Sequence, residues 1–202
     1  MKKRKRKYQG FLHKYHNVYL YIIILTLAGM LMGIVLSNYI DVSDIKHLSS
    51  YLTTITTGVN KYDYFVSQFF IGIIFIIFVF VLGTSFIGIP LISFVIFTKG
   101  LQIGFSCALF VYSYQLKGLA GIVMTLLPQV IFDLTSTFLI AASAIQLSMY
   151  IVYSCTNREK LDFKKLANTV LNDIFICFII VLIGSYLKST LGIECIKLFN
   201  LI

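Results

Sequence analysis

A long and almost uncharged apolar stretch most constrains how this chain can fold. Between Phe65 and Thr156 the charged residues are Lys99, Lys117 and Asp133. A helix of about 20 apolar residues crosses a hydrocarbon core about 30 Å thick, so this stretch alone has room for several transmembrane helices. The sequence therefore predicts an all-α integral membrane protein with about five transmembrane helices.

The composition excludes a single water-soluble domain. Hydrophobic residues make up 58% of the 202 residues and charged residues only 12%, which leaves too little polar surface to cover a water-facing fold. We expect one polytopic membrane domain, residues 18–187. It is preceded by a basic segment, residues 1–17, and followed by a short tail, residues 188–202.

Positive charge is concentrated at the N-terminus. The net charge is +9, and residues 2–7 together with Lys14 hold seven of the 17 basic residues. Because this cluster directly precedes an apolar run, the positive-inside rule predicts a cytoplasmic N-terminus in the cell membrane. Contact with anionic lipid is a compatible second role, and nucleic-acid binding is not expected. Five spans then place the tail on the non-cytoplasmic side.

Apolar runs separated by polar or turn-forming segments give the predicted spans. They cover about residues 18–37, 65–85, 91–114, 119–153 and 170–187, with a turn at 115–118 and a short amphipathic helix near 43–59. The fourth run is too long for one crossing, since its 35 residues would form a helix of about 52 Å, and Pro128 is expected to kink or divide it. Glycine and proline predict another broken or re-entrant segment around residues 83–104.

Three ionisable residues within the predicted spans are candidates for a functional or structural role. If the fourth span enters the membrane near Leu119, then Lys99, Asp133 and Asp173 lie at similar depths. An isolated charge in lipid is costly, so we hypothesise that Lys99 pairs with Asp133 and that Asp173 lies nearby. The alternative is that Lys99 reaches the membrane surface and Asp173 lies at the interface, which for Asp173 is the favoured interpretation.

Two G-x-x-x-G motifs predict close contacts between helices. Gly29 and Gly33 form the first, and Gly100 and Gly104 form the second. Small residues at this spacing allow two helix backbones to approach closely. Packing within one chain is the favoured interpretation, and the surface of a homo-oligomer is the alternative.

The sequence shows no credible catalytic, metal or cofactor motif. Residues 83–86 resemble the G-x-S-x pattern of intramembrane serine proteases, but no predicted span contains a histidine to act as the base. The four cysteines share no C-x-x-C spacing. We therefore expect a protein without enzymatic activity and without a cofactor.

Three motifs carry a resemblance to a known family. The run GTSFIGIPLISFVIFTKGLQIGF at 83–105, the run KGLAGIVMTLLPQ at 117–129 and the small-residue segment ending in ASAIQLS at 142–148 resemble the stage II sporulation protein M family. Pro128 and Gln129 belong to its L-P-Q element, and Asp133 stands where broader relatives tend to carry an acidic residue. The chain departs from the family at Val130, where an asparagine and a second proline often follow.

The resemblance implies a five-span protein of spore-forming bacteria that acts during engulfment of the forespore. It implies a membrane scaffold for two peptidoglycan-degrading partners, stage II sporulation proteins D and P, at the septum or engulfing membrane. The hydrolytic residues would then belong to the partners. The alternative function is a small permease or the membrane subunit of a transporter, because Lys99, Asp133 and Pro128 resemble features of a transport pathway.

Overall fold

The computed structural model describes residues 2–39, 60–85, 87–157 and 163–192, and all of its regular elements are helical. The α-helices are α1 (Lys2–Ser37), α2 (Lys61–Gly83), α3 (Gly88–Gly121), α4 (Leu127–Asn157) and α5 (Phe163–Leu187). Two π-helical segments, Ile122–Leu126 and Lys188–Gly192, follow α3 and α5. The amphipathic helix predicted near residues 43–59 lies outside the described residues.

Five stretches of these helices are long and apolar enough to cross a membrane. They are Asn17–Ser37, Lys61–Gly83, Gly88–Tyr112, Leu127–Val152 and Val170–Thr190. The predicted all-α membrane fold with five spans is thus confirmed. We call the side of the bundle where the first span begins the N-terminal side, and the side where that span ends the opposite side.

The boundary between the third and fourth spans differs from the prediction. The turn expected at residues 115–118 is absent, because α3 continues to Gly121 and the π-helical segment Ile122–Leu126 leads directly into α4. Pro128 is the second residue of α4 and directly follows the π-helical segment, where the backbone departs from α-helical geometry. The fourth span therefore starts at Leu127, not Leu119, and the eight-residue difference moves its side chains by about 12 Å along the membrane normal.

The predicted interruption around residues 83–104 is confined to its first residues. Gly83 ends α2, and α3 begins at Gly88. Pro90 is the third residue of α3, so it lies in the first turn, where a proline does not break the helix. The helix is continuous through Gly104, and the break does not extend that far.

Helix α4 is the centre of the bundle. Half of the residues in its most apolar window are buried, compared with 11% for α2, and it contacts α1, α2, α3 and α5. Its buried positions are mostly small: Ser136, Thr137, Ala141, Ala142, Ser143, Ala144 and Ser148. Small side chains let neighbouring backbones come close on several faces of one helix. At Gly83 a Cβ atom would lie 2.7 Å from the Cβ of Ala144, so α2 packs directly on this surface.

The two glycine motifs pack against each other within the chain. A Cβ atom at Gly29 would collide with the carbonyl oxygen of Phe97, and one at Gly104 would collide with that of Met30. Gly33 and Gly100 lie against backbone carbonyls in the same way, those of Leu101 and Thr26. We call these four glycines the glycine seam between α1 and α3.

Polar contacts at both ends of this seam show the relative direction of the two helices. The hydroxyl of Tyr21 donates to Ser93 Oγ at 2.8 Å, and the hydroxyl of Tyr112 donates to Oδ1 of Asn38. Residue numbers increase together along both helices, so α1 and α3 are parallel. Parallel packing of the first and third spans agrees with five alternating crossings.

Candidate functional site

An ion pair links α4 to the end of α5. Lys188 Nζ lies 2.6 Å from Asp133 Oδ2 and donates a hydrogen bond to it. Lys188 is the first residue of the second π-helical segment, and Asp133 lies six residues, or about 9 Å, into the fourth span. The side chains are 18% exposed for Lys188 and 40% exposed for Asp133, so the pair is partly accessible.

The hypothesis that Lys99 forms the ion pair with Asp133 is wrong. The later start of α4 places Asp133 in the half of the membrane next to the opposite side, where Lys188 is within reach. Lys99 instead places its ammonium group 4.6 Å from the centre of the Phe75 ring on α2. A cation over an aromatic face is attracted by the ring quadrupole, so Phe75 partly compensates for the loss of water around Lys99.

Lys99 nevertheless belongs to the same electrostatic environment. It interacts electrostatically with both Asp133 and Lys188, and the three side chains come from three different helices. We call Lys99, Asp133 and Lys188 the charged cluster. It contains two cations and one anion, so the cluster itself carries an excess of one positive charge.

Asp173 lies in a separate place. Its Oδ2 accepts a hydrogen bond from the hydroxyl of Ser143, which is buried on α4. Ser143 is ten residues from Asp133, or about 15 Å along α4, so Asp173 does not join the charged cluster. It lies three residues after the start of the fifth span, on the N-terminal side.

The remaining candidate residues have structural positions. Pro128 and Gln129 are half-buried at the start of α4, next to the π-helical segment Ile122–Leu126. The two π-helical segments contact each other, and Lys188–Gly192 also contacts α2. Departures from α-helical geometry are frequently found at functional sites. The charged cluster therefore lies next to the part of the bundle where the helices are least regular.

Two residues of these contacts are not evident from the sequence. Lys188 follows the last strongly apolar residues, where the span is predicted to end, and Ser143 lies in a run of small residues without an obvious partner. The sequence does indicate where Lys188 faces, because residues four apart, such as Gly184 and Lys188, lie on one face of a helix. The structure places both on the side of α5 that packs on α4, where Gly184 contacts Phe132.

The described residues contain no group of three or more metal-ligating side chains. Cys107 and Cys177 are both free, and the buried Cys177 thiol donates a weak hydrogen bond of 3.6 Å to the carbonyl oxygen of Ser136. Chemically, the charged cluster can hold helices in register and attract an anionic group, because its charge is not balanced.

A family model described as Stage II sporulation protein M matches residues 22–189 of the chain. The match covers the glycine seam, both residues of the ion pair and all five spans in whole or in large part. No curated protein and no solved structure matches the chain.

Proposed function

Because the chain belongs to the stage II sporulation protein M family, we propose that it is a non-enzymatic scaffold for peptidoglycan-degrading proteins during engulfment of the forespore. Family membership is the observation that carries this proposal, and it makes the chain a sporulation-related membrane protein. The proposed partners are stage II sporulation proteins D and P, which would supply the hydrolytic residues. The proposed location is the sporulation septum or the engulfing membrane.

Polar contacts between segments of the bundle support a scaffold function. Asp133 binds Lys188, Asp173 binds Ser143, and the buried Ser148 hydroxyl donates to the carbonyl oxygen of Ser85 at 3.1 Å. Each contact joins two segments that are distant in sequence. Such contacts favour one bundle geometry, and a fixed geometry is what a scaffold must present to its partners.

Extensive apolar surface is available for partners' membrane anchors. Exposed large side chains occur on α1, α2 and α5, for example Leu27, Leu31, Ile74, Phe78, Phe175 and Leu182. Lipid covers such surfaces by default, and a partner helix packs there when shape or polar groups add affinity. We propose a cytoplasmic N-terminus, since the basic residues 2–7 favour that side of the membrane.

The scaffold function predicts that both wall hydrolases are retained with the tagged chain when it is purified from sporulating cells in mild detergent. Retention is measured by immunoblotting for stage II sporulation proteins D and P against a tagged five-span membrane protein unrelated to sporulation. If neither hydrolase is enriched over that control while the chain itself is intact, the scaffold function is refuted.

A transporter subunit is the second candidate, and the excess positive charge of the charged cluster favours it. Ionisable residues within membrane spans often line the pathway of a solute. A water-filled path past Lys99 and Asp133 would make cysteines along α4 reactive to a membrane-impermeant thiol reagent. Protection of every position between residues 127 and 141 in the intact membrane would exclude this function.

A further inference from the structure

Two polar residues occupy the centre of the third span. The span Gly88–Tyr112 has its middle at residue 100, and Lys99 and Gln102 lie one and two residues away from it. They are three residues apart and therefore neighbours on the surface of α3. Gln102 is exposed, on the same side of the helix as the exposed Leu91 and Phe94.

Neither residue has a hydrogen-bonding or ion-pairing partner among the side chains that the structure describes. The contact of the Lys99 ammonium is the Phe75 ring, and that contact leaves its three N–H donors free. By contrast, the hydroxyl of the neighbouring Thr98 donates to the carbonyl oxygens of Phe94 and Val95. Exposing an amide and an ammonium group to hydrocarbon is costly, so this surface of α3 is poorly matched to lipid alone.

The surroundings of Lys99 and Gln102 extend from α3 onto α2. Phe75 brings α2 to one side of Lys99, and the exposed Ile71 and Phe78 flank Phe75 on the same face of α2. We call the surface formed by Lys99, Gln102, Ile71, Phe75 and Phe78, between α2 and α3 at mid-membrane, the α2–α3 groove.

Charge and depth together indicate which group fits the groove. The charged cluster has two lysines and one aspartate, so one further negative charge would balance it. Lipid phosphates lie about 15 Å from the centre of a 30 Å hydrocarbon core, which is too far from the middle of α3. An acidic side chain on another membrane helix can lie at any depth, including the middle of α3.

A second copy of this chain does not supply that side chain from its described spans. The acidic residues in those spans are Asp63, Asp133 and Asp173. Asp63 lies in the first turn of α2, Asp133 is bound by Lys188, and Asp173 lies three residues from the start of its span. Each is therefore near an end of its span or already paired.

We propose that the α2–α3 groove binds a transmembrane helix of another protein, and that this helix carries an acidic side chain near the centre of its span. Lys99 contributes the opposite charge, and Gln102 donates a hydrogen bond to the same carboxylate or to the backbone beside it. The inference rests on the proposed scaffold function for the identity of the partner, and it adds the chemistry by which one partner span is selected.

The test uses a leucine-rich transmembrane peptide with a single aspartate at its centre, compared with the same peptide carrying alanine there. Energy transfer between the labelled peptide and the purified full-length chain is measured in phosphatidylcholine vesicles. We expect the aspartate peptide to associate about tenfold more tightly than the alanine peptide, in the range of polar contacts between membrane helices. Lys99→Met should remove the difference, Gln102→Leu should reduce it, and Lys99→Arg should retain it.

Three controls make the result decisive. Leu31→Ala changes an exposed residue of α1 and should leave the preference unchanged. Helix content and thermal stability of each variant show that it is folded, and Gln102→Leu serves as the test if Lys99→Met does not fold. Addition of phosphatidylglycerol tests the lipid alternative, because competition by anionic lipid that removes the preference would assign the groove to a phosphate and overturn the proposal.

Equal binding of the aspartate and alanine peptides would also overturn it. Failure of this inference is distinguishable from failure of the scaffold function. If the peptides bind equally while both wall hydrolases are retained with the chain, the groove has no role in selecting an acidic helix and the scaffold function stands. Loss of hydrolase retention with an intact peptide preference would give the reverse conclusion.

Discussion

Replacing Gly104 by alanine is expected to destabilise the protein by about 1–3 kcal/mol, because the added methyl group forces α1 and α3 apart. A Cβ atom at Gly104 would collide with the carbonyl oxygen of Met30 and lie 2.8 Å from the Cα atom of the same residue. These are backbone atoms, so no side-chain rotation relieves the contact. Thermal unfolding in detergent, followed by circular dichroism, measures the loss.

Gly184→Ala is the matched control. Gly184 also lies in a membrane-spanning helix, but its added Cβ would lie 3.2 Å from the Cβ of Phe132, a contact that a shift of a few tenths of an ångström relieves. Both substitutions change the intrinsic helix preference by the same amount, about 0.5–1 kcal/mol in favour of alanine. The difference between the two variants therefore reports the close approach of α1 and α3.

Equal stability of the two variants would contradict the packing of the glycine seam. A larger substitution sharpens the comparison, because Gly104→Ile requires a greater separation of the two helices. We expect this variant to be lost from the membrane fraction during expression. Recovery of Gly104→Ile at the wild-type level would show that α1 and α3 do not rely on the seam.

Asp133→Ala is expected to be the most damaging substitution in the charged cluster. It removes the only carboxylate and leaves Lys99 and Lys188 without a negative charge, whereas Lys188→Met leaves Asp133 and Lys99 in electrical balance. We expect Asp133→Ala to cost about 1–3 kcal/mol, below the usual 3–5 kcal/mol for breaking a buried pair, since Asp133 is 40% exposed. Thermal unfolding of both single variants checks this order.

A double-mutant cycle separates the partners of Asp133. The double variant Asp133→Ala, Lys188→Met should be more stable than Asp133→Ala alone, because it also removes the unpaired lysine. The coupling energy of Asp133 with Lys188 should exceed its coupling energy with Lys99. A stronger coupling with Lys99 would restore the pairing hypothesis that the geometry rejects.

The spans and the glycine seam were accessible from the sequence for physical reasons. A bilayer requires about 20 apolar residues per crossing, and this requirement is visible in the uncharged runs themselves. Gly29, Gly33, Gly100 and Gly104 were predicted to pack within the chain, because a bundle must fill its own interfaces before it forms others. That the two motifs meet each other, in parallel, required the structure.

The partner of Asp133 was not accessible from the sequence. Its depth depended on where α4 begins, and the extension of α3 to Gly121 shifts that start by eight residues. The lengths of the apolar runs show how many crossings fit, but they do not fix the first residue of each span. Each residue of uncertainty changes the depth of a side chain by about 1.5 Å, so eight residues change it by about 12 Å. Lys188 was missed because a lysine at the end of a span is expected to extend into water, not back toward the bundle.

The proposed function places the chemistry of wall degradation outside this chain. The bundle then acts through its geometry: α4 holds its neighbours by small buried residues, and the seam fixes α1 against α3. The α2–α3 groove provides a selective contact for one partner.

The most direct test of the scaffold function is the location of a fluorescently tagged stage II sporulation protein P in sporulating cells that express either the wild-type chain, Gly104→Ile or no copy of it. The predicted result is a signal at the septum with the wild-type chain and a dispersed signal in the other two strains. Stage II sporulation protein P purified from those two strains should still degrade isolated peptidoglycan, which would show that its location is lost and its activity is not. Normal septal location and normal thinning of the septal wall in cells without the chain would contradict the scaffold function.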